Sequence, residues 1–390
     1  MQISNRVQRI AASQSLAMAA KAKQMQAEGI DVISMSLGEP DMDTPLHVRR
    51  AAQEAIDNHW SHYGPVAGIP SLREAIAKSE VTNHQSPIAY EANDVVVSVG
   101  AKMAIFNAIQ AVVNPGDEVI IPMPSWVSYG EMVKLAEGTV VPIATTFEDR
   151  YCLTPAQLRA ALTPKTRMII LCSPNNPTGS VYSPEQMQAL VDVLREWRDV
   201  VVLADEIYSP LVYGTVHTSF DSFPELADRL IVINGVSKAF AMTGYRIGWL
   251  LCKDKALVAA CTRLQGQQLT CATMVAQKAA EVALTGPQDC VEQMRRVFAE
   301  RRELICRLAH DIPGFRFFEP QGAFYLFPDV TALGGGDKLA AYLLDEAHVA
   351  AVSGSAFGCP DCLRLSYAIS TEEITEAMKR IKLAVEKIIN

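Results

Sequence analysis

Seven short runs of aliphatic and β-branched residues recur between positions 94 and 251, separated by stretches with helical spacing. No other feature limits the fold as strongly. The runs cover residues 94–99, 118–122, 139–143, 167–172, 200–204, 230–234 and 246–251. Each is apolar almost throughout, so both faces of the strands must be covered. The expectation is an α/β fold built on a seven-stranded, mostly parallel sheet with helices on both faces. Open sheets of this kind bind ligands beyond the carboxyl ends of their strands. The residues that follow each run are therefore the first place to look for chemistry.

A chain of 390 residues exceeds one compact core, which predicts a second, smaller α+β domain. Beyond Leu251 the pattern turns helical, with a long, interrupted helix expected over 281–309 and short β runs at 315–318, 323–327 and 363–367. A capping box, Ser370-x-x-Glu373, opens a last helix that carries Ile374, Met378, Ile381 and Ile388 on one side. Gly334-Gly335-Gly336 reads as a flexible loop. The net charge of −8 is spread without a basic block, which argues against nucleic acid and anionic membrane as partners. Residues 1–9 lack the apolar core of a secretory signal, and no apolar run is long enough for a bilayer. Nine scattered cysteines suit reduced thiols in a cytoplasm. Cys359-Pro360-Asp361-Cys362 has the form of a redox or zinc pair. No second Cys/His pair stands at ligand spacing, so incidental thiols and no metal site are expected.

The segment from Asn234 to Gly248 carries the most specific signal. Lys238 and Arg246 follow the buried run 230–233 in small, turn-forming surroundings. A lysine in a dry pocket loses its proton readily and can attack an aldehyde. A guanidinium nearby can hold a phosphate through two parallel hydrogen bonds. Asp205 ends the run 200–204, where a carboxylate is costly unless it meets a cation or caps a helix. Gly100-Ala101-Lys102 lies between a strand and a helix, as a tight turn or as an anion site made by backbone N–H groups. Trp126 is either a core residue or an aromatic platform.

These motifs resemble, in order, those of the class I and II aminotransferases. The signature Gly/Ser-x-Ser-Lys-x-x-x-Met-x-Gly-x-Arg-x-Gly is matched from Gly235 through Ser237, Lys238 and Arg246 to Gly248. The resemblance implies pyridoxal 5'-phosphate (PLP) as cofactor, PLP fold type I, and a homodimer with shared active sites. It further implies that Lys238 binds the cofactor aldehyde and moves the Cα proton, while Asp205 pairs with the ring nitrogen. Tyr208 and Asn176 reach the ring oxygen, and Trp126 lies against the ring face. Gly100, Ala101, Lys102, Ser237 and Arg246 surround the phosphate. Tyr63 crosses to the partner's phosphate. Arg364, in the Arg-x-Ser-Tyr motif, grips the substrate α-carboxylate with Asn176 and with Gly38 of the Gly-Glu-Pro-Asp turn; Asn175 is the less favoured neighbour of Asn176. The domain division expected is 45–285 for the large PLP-binding domain, with 1–44 and 286–390 forming the small one.

The match looks nearest to bacterial aspartate aminotransferases of the branch that includes prephenate aminotransferases. There, Lys102 and Ser15 correspond to contacts with a distal substrate carboxylate, which favours L-aspartate with 2-oxoglutarate. Thr270-Cys271 stands where relatives often have Thr-Ser, leaving prephenate, alanine or aromatic substrates open. Lyases of the same fold share Lys238, Asp205 and Arg364. A PLP-responsive transcription regulator would add a basic DNA-binding module before the first motif, and a nicotinamide dehydrogenase would need a Gly-x-Gly-x-x-Gly strand–helix turn.

Overall fold

The computed structural model describes residues 2–12, 14–84 and 86–390, without the side chains of Ser15 and residues 80–84. All seven expected strands form, each within one residue of its expected limits: Val95–Val99, Glu118–Met123, Thr139–Ala144, Thr166–Cys172, Val201–Asp205, Leu230–Gly235 and Ile247–Leu251. They make one sheet in the spatial order 95–99, 247–251, 230–235, 201–205, 166–172, 118–123, 139–144. Alternate residues feed opposite faces, as the two-residue pleat requires. Val95, Val97, Ile169, Leu171 and Val232 enter one apolar cluster, and Val96, Met168, Ile170, Ile231 and Ile233 enter another. Burial on both faces explains why these runs show no polar alternation.

Strand Ile247–Leu251 runs antiparallel to both neighbours, and the other neighbouring pairs are parallel. The reason is its short connection. A parallel return needs a crossover of roughly a dozen or more residues. Residues 236–246 instead form a one-turn helix, Val236–Ala239, and a 3-10 turn, Thr243–Tyr245, before the chain turns straight back.

A second core gathers residues from both ends of the chain. Ile33 and Met35 pack with Phe298, Phe324, Leu363, Ile374, Met378 and Ile381. Ile33–Ser34 pairs in parallel with Val349–Ala350, and Leu363–Ser366 lies antiparallel between Val352–Ser353 and Tyr325–Leu326. The interruption expected in the long helix is present, dividing the segment into Met274–Thr285 and Asp289–His310, while other expectations here need correction. The break contains Gly286-Pro287, and Pro287 has no N–H to continue the ladder. Residues 315–318 form no strand, only a bridge between Arg316 and Asp329. The glycine triplet is not a loose loop. Gly336 opens helix Gly336–Ala347 against the Cys362 carbonyl, so closely that a Cβ would lie 1.9 Å from that oxygen. The final helix, Thr371–Ile389, has its capping box, with Ser370 and Glu373 exchanging hydrogen bonds. Ile388 projects into solvent at 40% exposure rather than joining the buried side.

Candidate active site

The antiparallel return brings the candidate residues together. Strand Leu230–Gly235 delivers Lys238 just beyond its carboxyl end, and Arg246 stands just before Ile247 at the same edge. Val95–Val99 runs antiparallel to Ile247–Leu251, so Gly100 also emerges there. Trp126, Asn176 and Asp205 follow or end the parallel strands at that edge. A cavity of about 420 Å³ opens between this edge and the second core. It is lined by Gly38, Ala101, Lys102, Trp126, Asn176, Asp205, Tyr208, Ser237, Lys238, Arg246 and Arg364.

At the centre, the Lys238 amine donates to the Gly38 carbonyl at 2.5 Å and lies about 6 Å from the Tyr208 and Phe324 ring centres. Burial, partly offset by Glu39, lowers its pKa to about 8. The neighbouring charges of Arg246 and Arg364 act in the same direction as burial. A fraction of this lysine is therefore a neutral amine near neutral pH, where an ordinary lysine is almost wholly charged.

Asp205 is buried at the tip of its strand. Val202 and Leu203 supply about 3–6 kcal/mol of apolar burial, comparable with the several kcal/mol that burying a lone carboxylate costs. The tip position lets the carboxylate recover hydrogen bonds. Tyr129 Oη donates to Oδ2 at 2.6 Å and the Ile207 N–H donates to Oδ1 at 3.2 Å. Burial still raises the Asp205 pKa to about 6, against the lowering effect of those donors. A cation beside it would be strongly favoured.

Arg364 is only 3% exposed. Leu363, Leu365 and Ser366 are buried with it, so the whole strand is covered on both faces. Its guanidinium lies 4.5 Å from the Tyr325 ring centre and 4.8 Å from that of Phe357. Nη1 donates to Asn176 Oδ1 at 3.0 Å and Nη2 to the Ser36 carbonyl at 2.7 Å, while Nε has no protein partner. Asn175 turns away, donating to the Pro124 carbonyl and Thr178 Oγ1.

Helix Gly100–Val112 begins beside Arg246 with no side chain capping its first turn. Gly100 has φ +75°, and a Cβ there would lie 2.5 Å from Arg246 Nη2. The guanidinium thus rests directly over the helix N-terminus, and the two together form a cationic cradle. Lys102 is exposed at the cavity mouth, its amine 4.7 Å from the Trp126 ring centre. Partial enclosure, then the Arg246 charge, lowers its pKa.

Of the expected residues with described side chains or backbone, Tyr63 and Gly100 are not among those lining this cavity, although Gly100 emerges at its edge. Tyr63 stands on the surface at 87% exposure. Ser15 lies in helix Gln14–Ala27, with its side chain outside the described residues. Cys271 accepts a hydrogen bond from the Gly64 N–H, beside Tyr63, rather than facing the cavity. Sequence reasoning missed Tyr129 and Tyr325. The Tyr325 hydroxyl shares a 2.8 Å hydrogen bond with that of Tyr208 and closes on Gly38, where a Cβ would lie 2.5 Å from it. Both tyrosines are otherwise ordinary core residues. The only hints were three-residue spacing from Trp126 for one, and membership of the 323–327 run for the other.

Comparisons with known proteins show the family and the fold. Residues 30–381 match the family "Aminotransferase class I and II". The chain is 43% identical to an aspartate aminotransferase of Bacillus sp. strain YM-2 over 97% of this chain and 98% of the relative. It is 42% identical to the aspartate/prephenate aminotransferase of Nitrosomonas europaea over 98% of this chain and 99% of that one. Among solved structures, aspartate aminotransferase from Rhizobium meliloti superposes with a TM-score of 0.95 at 39% identity, covering 99% of both chains. The Thermus thermophilus enzyme with maleate gives 0.94 at 38% identity, over 98% of this chain and 100% of that one. With its motifs gathered at one sheet edge and its fold shared along nearly its whole length, the chain belongs to the class I and II aminotransferases.

Proposed function

We propose that this aminotransferase uses PLP to exchange an amino group between L-aspartate and 2-oxoglutarate, giving oxaloacetate and L-glutamate. The observation that carries the reading is the convergence of a low-pKa lysine, a buried carboxylate and a buried arginine on one cavity with a second cation, Lys102, at its mouth. When bound, PLP supplies an aldehyde that amines add to and a ring that withdraws electrons from the adjoining carbon.

The residues fit that group. Lys238 is the amine for the aldehyde and, once released, the base that takes and returns the Cα proton. Asp205 is the partner of a protonated ring nitrogen, held in place by Tyr129 and Ile207. Tyr208 and Asn176 reach the ring oxygen, and Trp126 lies against the ring. The N–H groups of Gly100, Ala101 and Lys102, with Ser237 and Arg246, hold the phosphate. Arg364, whose Nε and two donor nitrogens face a carboxylate site, fixes the α-carboxylate with Asn176 and Gly38. Lys102, with Ser15, meets the distal carboxylate.

We place Tyr63 at the phosphate of the partner subunit, which makes a homodimer the working unit. We divide the chain into a large domain, 45–285, and a small one formed by 1–44 and 286–390. The free state of the nine cysteines supports a cytoplasmic setting. No helix among the described residues is long and apolar enough to cross a membrane. Prephenate is the second reading, because the Nitrosomonas europaea relative is named for both substrates. A panel of amino donors tested with 2-oxoglutarate, together with oxaloacetate and prephenate compared as acceptors from a common donor, decides between them. Aspartate and glutamate should show the highest kcat/KM; a higher value for alanine, an aromatic acid or prephenate overturns the aspartate assignment.

A further inference from the structure

We propose that Cys359 and Cys362 are a thiol-oxidation site: a low-molecular-weight disulfide converts them to an intramolecular disulfide, and this weakens carboxylate binding at Arg364. The inference rests on the proposed role of Arg364 for its functional part, and on geometry alone for the site itself.

The two sulfurs lie 3.3 Å apart. The Cys362 N–H donates to the Cys359 carbonyl at 3.1 Å, closing a turn whose second residue is Pro360, where proline's fixed φ is suited. Four further backbone bonds hold that turn. Gly336 N–H donates to Pro360 O, Val330 N–H to Asp361 O, Gly354 N–H to Cys362 O and Cys359 N–H to Gly354 O, all at 2.7–2.9 Å. The backbone therefore keeps the thiols adjacent before any bond forms between them. Cys359 is half-buried and reachable, whereas Cys362 is 1% exposed with its sulfur 3.4 Å from Tyr151 Oη.

That asymmetry assigns the order of attack. The contact with Cys362 holds the Cys359 thiol below its ordinary value, while the same contact and burial push Cys362 up. Cys359 as thiolate attacks one sulfur of the small disulfide and expels one thiolate. Cys362, losing its proton, then attacks the Cys359 sulfur of the mixed disulfide and expels the second. Two protein thiols are oxidised and one reagent disulfide is reduced to two thiols.

The consequence for binding follows from the neighbours. Cys362 precedes Arg364 by two residues at the start of strand Leu363–Ser366. Phe357, two residues before Cys359, lays its ring 4.8 Å from the guanidinium, and its carbonyl accepts from Ser125 N–H beside Trp126. Drawing the sulfurs to about 2 Å displaces Cys362 from Tyr151 and pulls on both segments that support Arg364.

The test uses the full-length holoenzyme, reduced and then treated with oxidised glutathione, followed by alkylation and peptide mapping. The expected result is a Cys359–Cys362 disulfide and a KM for the preferred amino donor raised about threefold or more, as for a shifted but intact arginine contact. Dithiothreitol should reverse both changes. Cys359→Ser should keep the reduced enzyme's KM and show no response to the oxidant. The proposal is overturned if both cysteines remain alkylatable, if the disulfide forms with KM unchanged, or if Cys359→Ser responds like the parent. Failure of the reduced enzyme to use aspartate would count instead against the proposed substrate, and the mapping and the KM of the donor identified by the panel would still decide the thiol site.

Discussion

A single buried amine and a single exposed one carry most of the chemistry proposed here, and they differ in what they should do to rates. With a pKa of about 8, Lys238 is neutral in roughly a quarter of molecules at pH 7.5, against about one in a thousand for an ordinary lysine. Because the pKa is lowered, the reactive neutral form accumulates as pH rises. The rate at which cofactor-free protein captures PLP should climb about tenfold per pH unit below 8 and then level off; a rise continuing to pH 10 would show that burial does not tune this amine. Lys102, at the cavity mouth, acts through selectivity. Replacing it by Ala should raise KM for aspartate about 10- to 100-fold, the loss of one hydrogen bond to a charged group, and leave alanine nearly unaffected. Equal effects on both donors would remove Lys102 from substrate choice. Asp205 was legible because it breaks a local rule, a charge set at the end of an apolar run, whereas Lys238 and Arg364 were legible through the motifs that carry them. Tyr129 and Tyr325 break none, since a buried tyrosine packs as readily in a core as in a site.

Elements, rather than residues, explain why the site assembles. The seven strands were legible because apolar runs covered on both faces leave a continuous signal. Their mostly parallel run was legible from the helical stretches between them, but which strand reverses was not, because pleat periodicity carries no polarity. The antiparallel return of Ile247–Leu251 emerges only from the shortness of residues 236–246, and it sets Arg246 over the N-terminus of helix Gly100–Val112. Two-residue strands such as Ile33–Ser34 and Val349–Ala350 are shorter than any repeat a sequence could display. The helix start gives a direct test. Gly100→Ala must hold a side chain at φ +75° and displace the tip of Arg246, 2.5 Å from the new Cβ. The strain costs about 1–2 kcal/mol, too little to unfold the chain. PLP affinity should fall about tenfold with the fold intact by circular dichroism; unchanged affinity would remove the Gly100–Arg246 cradle from phosphate binding.

At the scale of the whole molecule, the turn bearing Tyr63 is fixed without facing its own cavity. The Gly64 N–H donates to Cys271, and a Cβ on Gly64 would lie 2.2 Å from Met274 Sδ, so the loop is pinned to the start of helix Met274–Thr285. Tyr63 nonetheless remains 87% exposed. One exposed aromatic is ordinary on a protein surface, so exposure does not decide whether a second subunit covers it. Complementation does. In a heterodimer of Lys238→Ala with Tyr63→Ala, one site combines the intact lysine of one chain with the intact tyrosine of the other, and the second site carries both lesions. Random pairing makes about half the dimers mixed, which restores about a quarter of the wild-type sites. Co-expression of the two variants should therefore yield activity well above either parent, near that fraction. Activity equal to the mean of the parents would mean that Tyr63 serves its own chain or none, and the shared active site would have to be abandoned.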